Sequence, residues 1–303
     1  MNFKNAWKRG AVALGLATMA GACGSGSSAA APASAAKPAL WQVTDRDTTI
    51  YLFGTIHLLP DNIVWRSPKF DKALAKSNGL VVETIIDEKN LAPFAGLFTR
   101  LAVRSDLPPL VMRVPPDKRG LLLQAIRNGG AVPASLDRME TWAAAFQLIN
   151  LQFRGIGLKQ QQGVDQVLKS NFAAAGKPVG QLETNAEQLG VFDTLPESAQ
   201  QALLIAALDR PEQVKAQFDG MLGAWMRGDV DTIARTFNSD MAATPALTDA
   251  LLTRRNANWA RWIEGRMAQP GTVMVAVGAG HLAGPASVQA MLGKRGLKVT
   301  RLQ

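Results

Sequence analysis

Short, almost entirely apolar segments alternate with amphipathic segments along most of this chain, a pattern that predicts alternating strands and helices. The apolar segments carry few polar positions, which is typical of parallel strands covered on both faces. The pattern predicts an α/β fold with a mixed, largely parallel central sheet and flanking helices. The predicted strands are 41–53, 80–82, 178–182, 272–277 and 298–302, and the predicted helices between them are 67–77, 163–175, 251–267 and 285–293.

The segments between these units show apolar residues at three- and four-residue spacing, which predicts further helices. We interpret them as a helical cap over the sheet. No break has the length of an interdomain linker, so residues 39–303 are predicted to form one domain with helical insertions. Trp142, Trp225 and Trp259 fall at helical spacing with other apolar residues and are predicted to lie in the core. The cap helices are predicted at 115–126, 134–153, 197–208, 211–227 and 230–237.

The beginning of the chain has the pattern of a bacterial export signal. Lys4, Lys8 and Arg9 form a basic start, and the apolar run 10–19 that follows is too short to span a bilayer. Small residues complete the pattern, so residues 1–22 are predicted to be a signal peptide.

Two cleavage patterns fit the end of that segment. Residues 20–22 suit an ordinary signal peptidase as well as a lipobox that ends in an acylated cysteine. The single cysteine of the chain, Cys23, lies at the lipobox position and precedes a Gly/Ser/Ala/Pro-rich stretch, so 23–38 is predicted to be a flexible tether. This coincidence favours lipidation at Cys23. We expect an exported protein, in the periplasm or as an outer-membrane lipoprotein.

The composition excludes several classes of protein. The 303 residues are 47% hydrophobic and 19% charged, which is typical of a globular protein and not of a disordered or collagen-like one. One cysteine cannot form an internal disulfide. Loss of residues 1–22 would lower the net charge from +9 to +6, so we expect no nucleic-acid partner and contact with a membrane only through the possible lipid anchor.

The two histidines of the chain occur in the same local pattern. His57 follows Gly54 and His281 follows Gly278, each pair lying at the end of an apolar strand. Ligands of open α/β sheets collect at the carboxyl ends of parallel strands, so we expect both histidines at one edge. A lone histidine after a strand is more often a packing residue, but the repeated pattern favours a shared site.

Two glutamates are predicted to join them. Glu83 ends the strand that follows His57 through a single helix, and a right-handed crossover places both at the same sheet edge. Glu183 ends another strand preceded by a helix. Two imidazoles and two carboxylates suit a divalent transition metal such as Zn, Mn or Co.

Two other side chains are weaker candidates. Asp165 starts a predicted helix, so its first interpretation is an N-cap and its second a site residue. Arg255 lies in the helix that leads to the strand before His281. Most helical arginines face water, but one at this edge could bind a carboxylate or stabilise an oxyanion.

The ordered motifs of residues 41–302 resemble those of the TraB/PrgY/GumN family, in particular its exported bacterial GumN-like branch. The motifs that carry the resemblance are Trp41, the run 51–57 through Gly54 and His57, Val82-Glu83, Gly163-Val164-Asp165, Glu183-Thr184 with Glu187-Gln188, Trp225 with Gly228-Asp229, Arg255-Asn256, and the run 277–282 with Gly284.

The resemblance implies a fold similar to erythromycin esterase and ChaN-like proteins. It also implies a site formed by the two Gly-x-x-His motifs, a glutamate and an arginine, which correspond to His57, His281, Glu83 and Arg255. Asp165 and Asn256 are expected to support these residues. The animal Tiki relatives are metal-dependent proteases, whereas the GumN name comes from gene context.

We therefore expect a metal-dependent hydrolase, in particular a peptidase acting on peptides in the bacterial envelope. His57, His281, Glu83 and Glu183 are the expected ligands, and Glu83 and Arg255 the expected catalytic residues. The alternative is a non-catalytic envelope protein that binds haem or a polysaccharide. Tyr51, the single tyrosine, would be the one candidate for a haem tyrosinate ligand.

Overall fold

A computed structural model describes residues 36–241 and 244–303 of the chain. The predicted signal peptide and Cys23 lie outside the described residues, as does most of the predicted tether. The last residues assigned to the tether are described and contact the domain. The Lys37 backbone N–H donates to the Met226 carbonyl over 2.8 Å, and the Gln303 side chain donates to the Pro38 carbonyl over 2.6 Å.

A six-stranded mixed sheet forms the centre of the fold, with strand order β4-β3-β5-β2-β1-β6. Strands β4, β3, β5 and β2 are parallel neighbours, and β1 pairs antiparallel with both β2 and β6. The predicted α/β class with a mixed, largely parallel sheet is confirmed. The strands are β1 (Leu40–Thr44), β2 (Thr48–Thr55), β3 (Gly79–Val82), β4 (Val179–Gln181), β5 (Gly271–Gly278) and β6 (Val299–Arg301).

Helices cover the sheet. The segment before α12, Asp249–Thr253, is a π-helical turn that continues into it. In the described residues, no helix is long and apolar enough to cross a membrane. The α-helices are α1 (Pro68–Lys76), α2 (Ala92–Ala102), α3 (Arg119–Gly129), α4 (Pro133–Asp137), α5 (Thr141–Gly155), α6 (Val164–Ala174), α7 (Asn185–Asp193), α8 (Glu197–Ala206), α9 (Pro211–Met226), α10 (Val230–Met241), α11 (Pro245–Thr248), α12 (Arg254–Arg266) and α13 (Val288–Lys294).

The first predicted strand is wrong as a single element, because residues 41–53 form a hairpin. The Asp45 side chain accepts hydrogen bonds from the backbone N–H groups of Asp47 and Thr48, at 3.1 and 2.8 Å, and closes the turn between β1 and β2. Aspartate commonly stabilises such turns by accepting from the backbone two residues later.

One helical prediction also needs correction, and two helices were missed. The predicted helix 134–153 is two helices, α4 and α5, and helices α2 and α7 were not predicted. A capping box starts α7: the Thr184 hydroxyl accepts from the Glu187 backbone N–H, and the Glu187 carboxylate accepts from the Thr184 N–H. This Thr-x-x-Glu pattern is a readable helix start.

Apolar side chains form a separate cluster on each face of the sheet. The larger one lies under the cap helices and contains Trp142 and Trp225, whereas the smaller one lies under α12 and α13 and contains Trp259. All three tryptophans are buried, as predicted. The cap and α12 therefore face each other across the sheet, and both reach the carboxyl ends of the parallel strands.

Candidate functional site

The two histidine motifs lie side by side at the carboxyl edge of the sheet. Strands β2 and β5 are parallel neighbours whose register pairs Thr55 with Gly278. Each histidine follows three residues after the glycine of its motif, so the strand pairing brings His57 and His281 to one place. His57 follows β2 in a loop, and His281 lies in a single 3₁₀ turn after β5.

Close backbone packing explains two of the glycines. A Cβ on Gly54 would lie 3.0 Å from the Ala279 Cα, so the first motif packs directly against the second. A Cβ on Gly163 would lie 2.0 Å from the His57 carbonyl oxygen, a distance that no side chain tolerates. Gly163 thus lets the start of α6 approach the His57 backbone.

The Glu83 carboxylate lies at the centre of the site, directly after β3. Its Oε1 accepts from the Gly278 backbone N–H over 2.7 Å and lies 3.9 Å from the His57 Nε2 and 3.8 Å from the His281 Nε2. Burial by itself would raise the pKa of Glu83, but the positive charge of Arg255 and the hydrogen bond from the Gly278 N–H outweigh burial, and the pKa falls to about 2. Glu83 is therefore a stable carboxylate in a buried place.

A second side chain orients each imidazole through Nδ1. The His57 Nδ1 lies 2.8 Å from the Asp165 carboxylate, and the His281 Nδ1 lies 2.6 Å from the Asn256 Oδ1. The Asn256 amide nitrogen donates to the Ala286 carbonyl, which leaves its oxygen to accept from His281. Both Nδ1 atoms therefore carry a proton, and both Nε2 atoms face Glu83.

The Asp165 side chain is therefore a partner of His57 and not the N-cap of its helix. Gly163 is the N-cap of α6, and Asp165 lies in the first turn. Burial would raise the pKa of the Asp165 carboxyl, but His57 and Lys169 outweigh burial and lower it. The Asp165 carboxyl is therefore ionised where it faces His57.

Arg255, from α12, joins the two glutamates. Its Nη2 donates to the Glu83 Oε2 over 2.7 Å and to the Glu183 Oε2 over 2.8 Å, and its Nε donates to the Glu183 Oε1 over 2.9 Å. Its Nη1 lies 3.3 Å from the His281 Nε2. Arg255 and His281 both pack on the Trp259 ring, at 4.7 and 4.3 Å.

Glu183 thus contacts the guanidinium and not a histidine in the described contacts. Its pKa is raised, because burial and the charge of Glu83 outweigh the hydrogen bonds and the positive charge of Arg255. The pKa of His281 falls to about 3, because burial and the nearby Arg255 disfavour the imidazolium more than Glu83 favours it. His281 is therefore a neutral imidazole.

The donor atoms fit a divalent transition metal in kind and need a small contraction in distance. Two Nε2 atoms and one carboxylate oxygen face a shared space, and the Nδ1 atoms of both rings are held by hydrogen-bond acceptors, as in known metal sites. Ligands of one tetrahedral ion lie about 3.3 Å apart, somewhat less than the 3.8 and 3.9 Å found here. Across the described residues, no three His, Cys, Asp or Glu side chains lie close enough together to hold a metal ion as they stand.

Solvent reaches the site from the His57 side. The side chains of His57 and Asp165 are 13% and 24% exposed, whereas that of His281 is 1% exposed. A molecule that enters the site would therefore meet His57 first.

Two contributors to the site were not predicted. Gln188, in α7, directs its amide at the Glu83 Oε2 from 3.4 Å, and the Gly278 backbone N–H binds the Glu83 Oε1. Gln188 lies in a motif that the sequence analysis quoted without a role, and the capping box before it was a usable signal for its helix.

Comparisons with known proteins assign the chain to a family. The model of the TraB/PrgY/gumN family matches residues 39–301. Two relatives match, the uncharacterized protein YbaP of Escherichia coli K12 and that of Shigella flexneri. Each is 26% identical over 246 residues, which cover 80% of this chain and 87% of the relative. No solved structure matches the chain.

Proposed function

Because the chain belongs to the TraB/PrgY/gumN family, we propose that it is a metal-dependent hydrolase that cleaves peptides. One observation carries the proposal: two imidazoles, each oriented through its Nδ1, direct their Nε2 atoms towards the same oxygen of Glu83. Two imidazole nitrogens and a carboxylate oxygen gathered in this way are ligand types that suit a divalent transition metal.

His57, His281 and Glu83 would hold the ion, with Mn, Co or Zn as the proposed metals. A bound divalent ion supplies Lewis acidity, which lowers the pKa of water and polarises a carbonyl. Asp165 and Asn256 keep the two rings in the tautomer that ligation requires. Glu183 remains a proposed ligand only if it leaves Arg255.

Glu183 is the better proton acceptor of the two glutamates. Glu83, with a pKa of about 2, binds a proton weakly, whereas burial raises the pKa of Glu183. Both carboxylates bind the same Arg255 nitrogen, so they lie close together. We propose that Glu183 takes a proton from the attacking water. The catalytic role proposed for Glu83 is electrostatic, because its fixed negative charge would hold the ion and Arg255 in place.

Arg255 would stabilise negative charge as it develops on the peptide carbonyl. Its side chain is 4% exposed and held by two carboxylates and by Trp259, so little reorganisation accompanies the reaction. A preorganised cation in a buried site stabilises charge more strongly than one in water.

Hydrolysis of a peptide library tests the proposal. Untagged protein is first assayed for bound metal by elemental analysis and then for cleavage with Mn, Co or Zn. His57→Ala and His281→Ala, checked for folding by circular dichroism, are the matched variants. We expect turnover only with metal and a loss of at least about 100-fold in each variant. Equal turnover in all three proteins would refute the assignment.

The alternative role in haem binding receives no specific support from the described residues. Tyr51 is 6% exposed and lies inside β2, within the larger apolar cluster. Absence of a Soret band after haem addition, together with bound transition metal, would favour the hydrolase. The finer likeness to erythromycin esterase and ChaN-like folds stays a prediction.

We further propose that the protein works in the bacterial envelope. This proposal rests on the basic and apolar pattern of residues 1–22 and on the position of Cys23. Mass spectrometry of the mature N-terminus tests it. A diacylglyceryl cysteine supports the anchor, an unmodified start near residue 23 supports a free periplasmic protein, and an intact Met1 contradicts export.

A further inference from the structure

A groove runs along the free edge of the sheet, beside the candidate site. Among the described residues, β4 pairs with β3 on one side and with no strand on the other. A cavity of about 470 Å³ opens there, between β4 and the segment that joins β3 to α2. Its size falls within the range of ligand-binding pockets in general.

The ladder shows which backbone groups of β4 face the groove. The Pro178 carbonyl accepts from the Leu80 N–H over 3.0 Å, and the Leu182 N–H donates to the Val82 carbonyl over 2.9 Å. Backbone groups alternate in direction along a strand. The N–H and C=O groups of Val179 and Gln181 therefore point away from β3, towards the groove.

The groove lies directly next to the site. Gln181 is two residues before Glu183 on one wall, and Ile85 is two residues after Glu83 on the other. The Gln181 side chain accepts from the Ile85 N–H over 2.8 Å and fixes the two walls relative to each other. Two residues of extended chain span about 7 Å, so a strand bound at this edge reaches the site within a few residues.

The side chains that line the groove define what fits it. Phe94 and Pro93 of α2 form an apolar wall, and Asp87 supplies a carboxylate. No lysine or arginine is found among the described residues that line the groove. The groove thus suits a segment with an apolar side chain towards Phe94 and a basic one towards Asp87.

We propose that an extended stretch of the peptide substrate pairs with the free edge of β4. The Phe94 wall and Asp87 contact its side chains and select among them. Pairing with an exposed sheet edge is a general mode of peptide recognition, in which backbone hydrogen bonds give affinity and pockets give specificity. This inference rests on the proposed function and adds how the substrate is held.

Three capped peptides test whether a peptide pairs with β4, which we call the docking strand. They are bound to the metal-free His57→Ala protein, which does not cleave them. The probe is acetyl-Ala-Val-Lys-Leu-Ala-amide, and the two counterparts carry Glu in place of Lys or N-methyl groups at every internal amide. We expect saturation with the probe to slow hydrogen exchange at the Val179 and Gln181 amides at least about tenfold. The N-methylated and Glu peptides should bind at least about tenfold more weakly.

Variants separate the contribution of the β4 backbone to probe binding from that of the side chains that line the groove. Val179→Pro removes a donor that β3 does not use, and Phe94→Ala removes the apolar wall. Each should weaken probe binding about tenfold, while Val132→Ala, an exposed apolar residue outside the groove, should not change it. Asp87→Lys should reverse the preference between the Lys and Glu peptides. If Val179→Pro does not fold, the N-methylated peptide still decides the matter.

The outcomes distinguish this inference from the proposed function. No binding at millimolar concentration, equal binding of the N-methylated peptide, or protection away from β4 overturns the docking strand. If the wild-type protein with metal cleaves the probe but the β4 amides stay unprotected, only the docking strand is wrong. If β4 is protected but the wild-type protein with metal cleaves nothing, the hydrolase is wrong and the docking strand stands.

Discussion

His57 and His281 occupy equivalent positions in two similar motifs, yet their surroundings differ. The His57 side chain is 13% exposed and faces the charged Asp165, whereas the His281 side chain is 1% exposed and faces the neutral Asn256. Arg255 lies against His281, 3.3 Å from its Nε2. The comparison teaches that a repeated sequence motif can place one imidazole where solvent reaches it and the other in a buried position that keeps it neutral.

The largest expected effect follows from removing Arg255, the cation that lies beside His281. Arg255→Met would leave the carboxylates of Glu83 and Glu183 buried without a cation, so we expect the free energy of unfolding to fall by about 3–5 kcal/mol. Urea unfolding measures it. Arg254→Met is the matched control, because its side chain is 65% exposed and should change stability by less than about 0.5 kcal/mol. Equal effects of the two variants would contradict the buried ion cluster.

The second prediction concerns pH and tests the neutral state of His281 in metal-free protein. Burial lowers the pKa of His281 from 6.5 to about 3, so below pH 6.5 the unfolded chain binds a proton that the folded chain does not. The free energy of unfolding should therefore fall as the pH falls from 6.5 towards 3, by up to about 1.4 kcal/mol per pH unit from this residue.

Two variants isolate that contribution. His281→Gln should flatten the dependence between pH 6.5 and 4, as measured by urea unfolding at each pH, because glutamine does not titrate. His57→Gln serves as the matched control on the accessible side and should keep the His281 contribution. An unchanged slope in His281→Gln would show that His281 is not held neutral.

The third prediction concerns His57, the more exposed of the two histidines. Asp165→Asn removes the charge that orients and polarises His57, so the affinity for Mn or Zn should fall 10- to 100-fold while the fold persists. Isothermal titration calorimetry with the metal measures the change. Asp61→Asn changes an exposed carboxylate that binds Lys159, and it should leave the affinity unchanged. Wild-type affinity in Asp165→Asn would argue against His57 as a ligand.

The smallest expected effect is that of Gln188, which touches the carboxylate between the two histidines. Its amide lies 3.4 Å from the Glu83 Oε2, a long hydrogen bond. We expect Gln188→Leu to lower the free energy of unfolding by less than about 1 kcal/mol, measured by urea unfolding. A loss as large as that of Arg255→Met would mean that Gln188 holds Glu83 in place.

The parts of this fold that were readable from sequence are those with strong local signals. Continuous apolar runs identified β3 and β5, and the extended segment between a predicted helix and Glu183 identified β4. The residues that follow the predicted strands identified His57, Glu83 and His281 as neighbours. The hairpin of β1 and β2 was missed because two β-rich strands with a three-residue polar turn resemble one long strand. The capping box of α7 was present but was not used.

The contacts of Arg255 were beyond such reasoning. The sequence of α12 does not indicate that this helix lies over the carboxyl edge of the sheet. It also does not indicate the angle at which one guanidinium can bind two glutamates. Such a contact depends on how a helix packs on a sheet, which side-chain packing decides over the whole interface. The resemblance to a family identified Arg255, but the ion cluster emerged only from the three-dimensional arrangement.

The direct contact between Gly54 and Ala279 has a consequence for how the protein is made. These neighbours come from opposite ends of the domain, so a ribosome must release nearly the whole domain before they can meet. Contacts between such distant segments form slowly, because a long loop must close first. A partly synthesised domain therefore has no assembled site, and any chemistry begins only after the second histidine motif has left the ribosome.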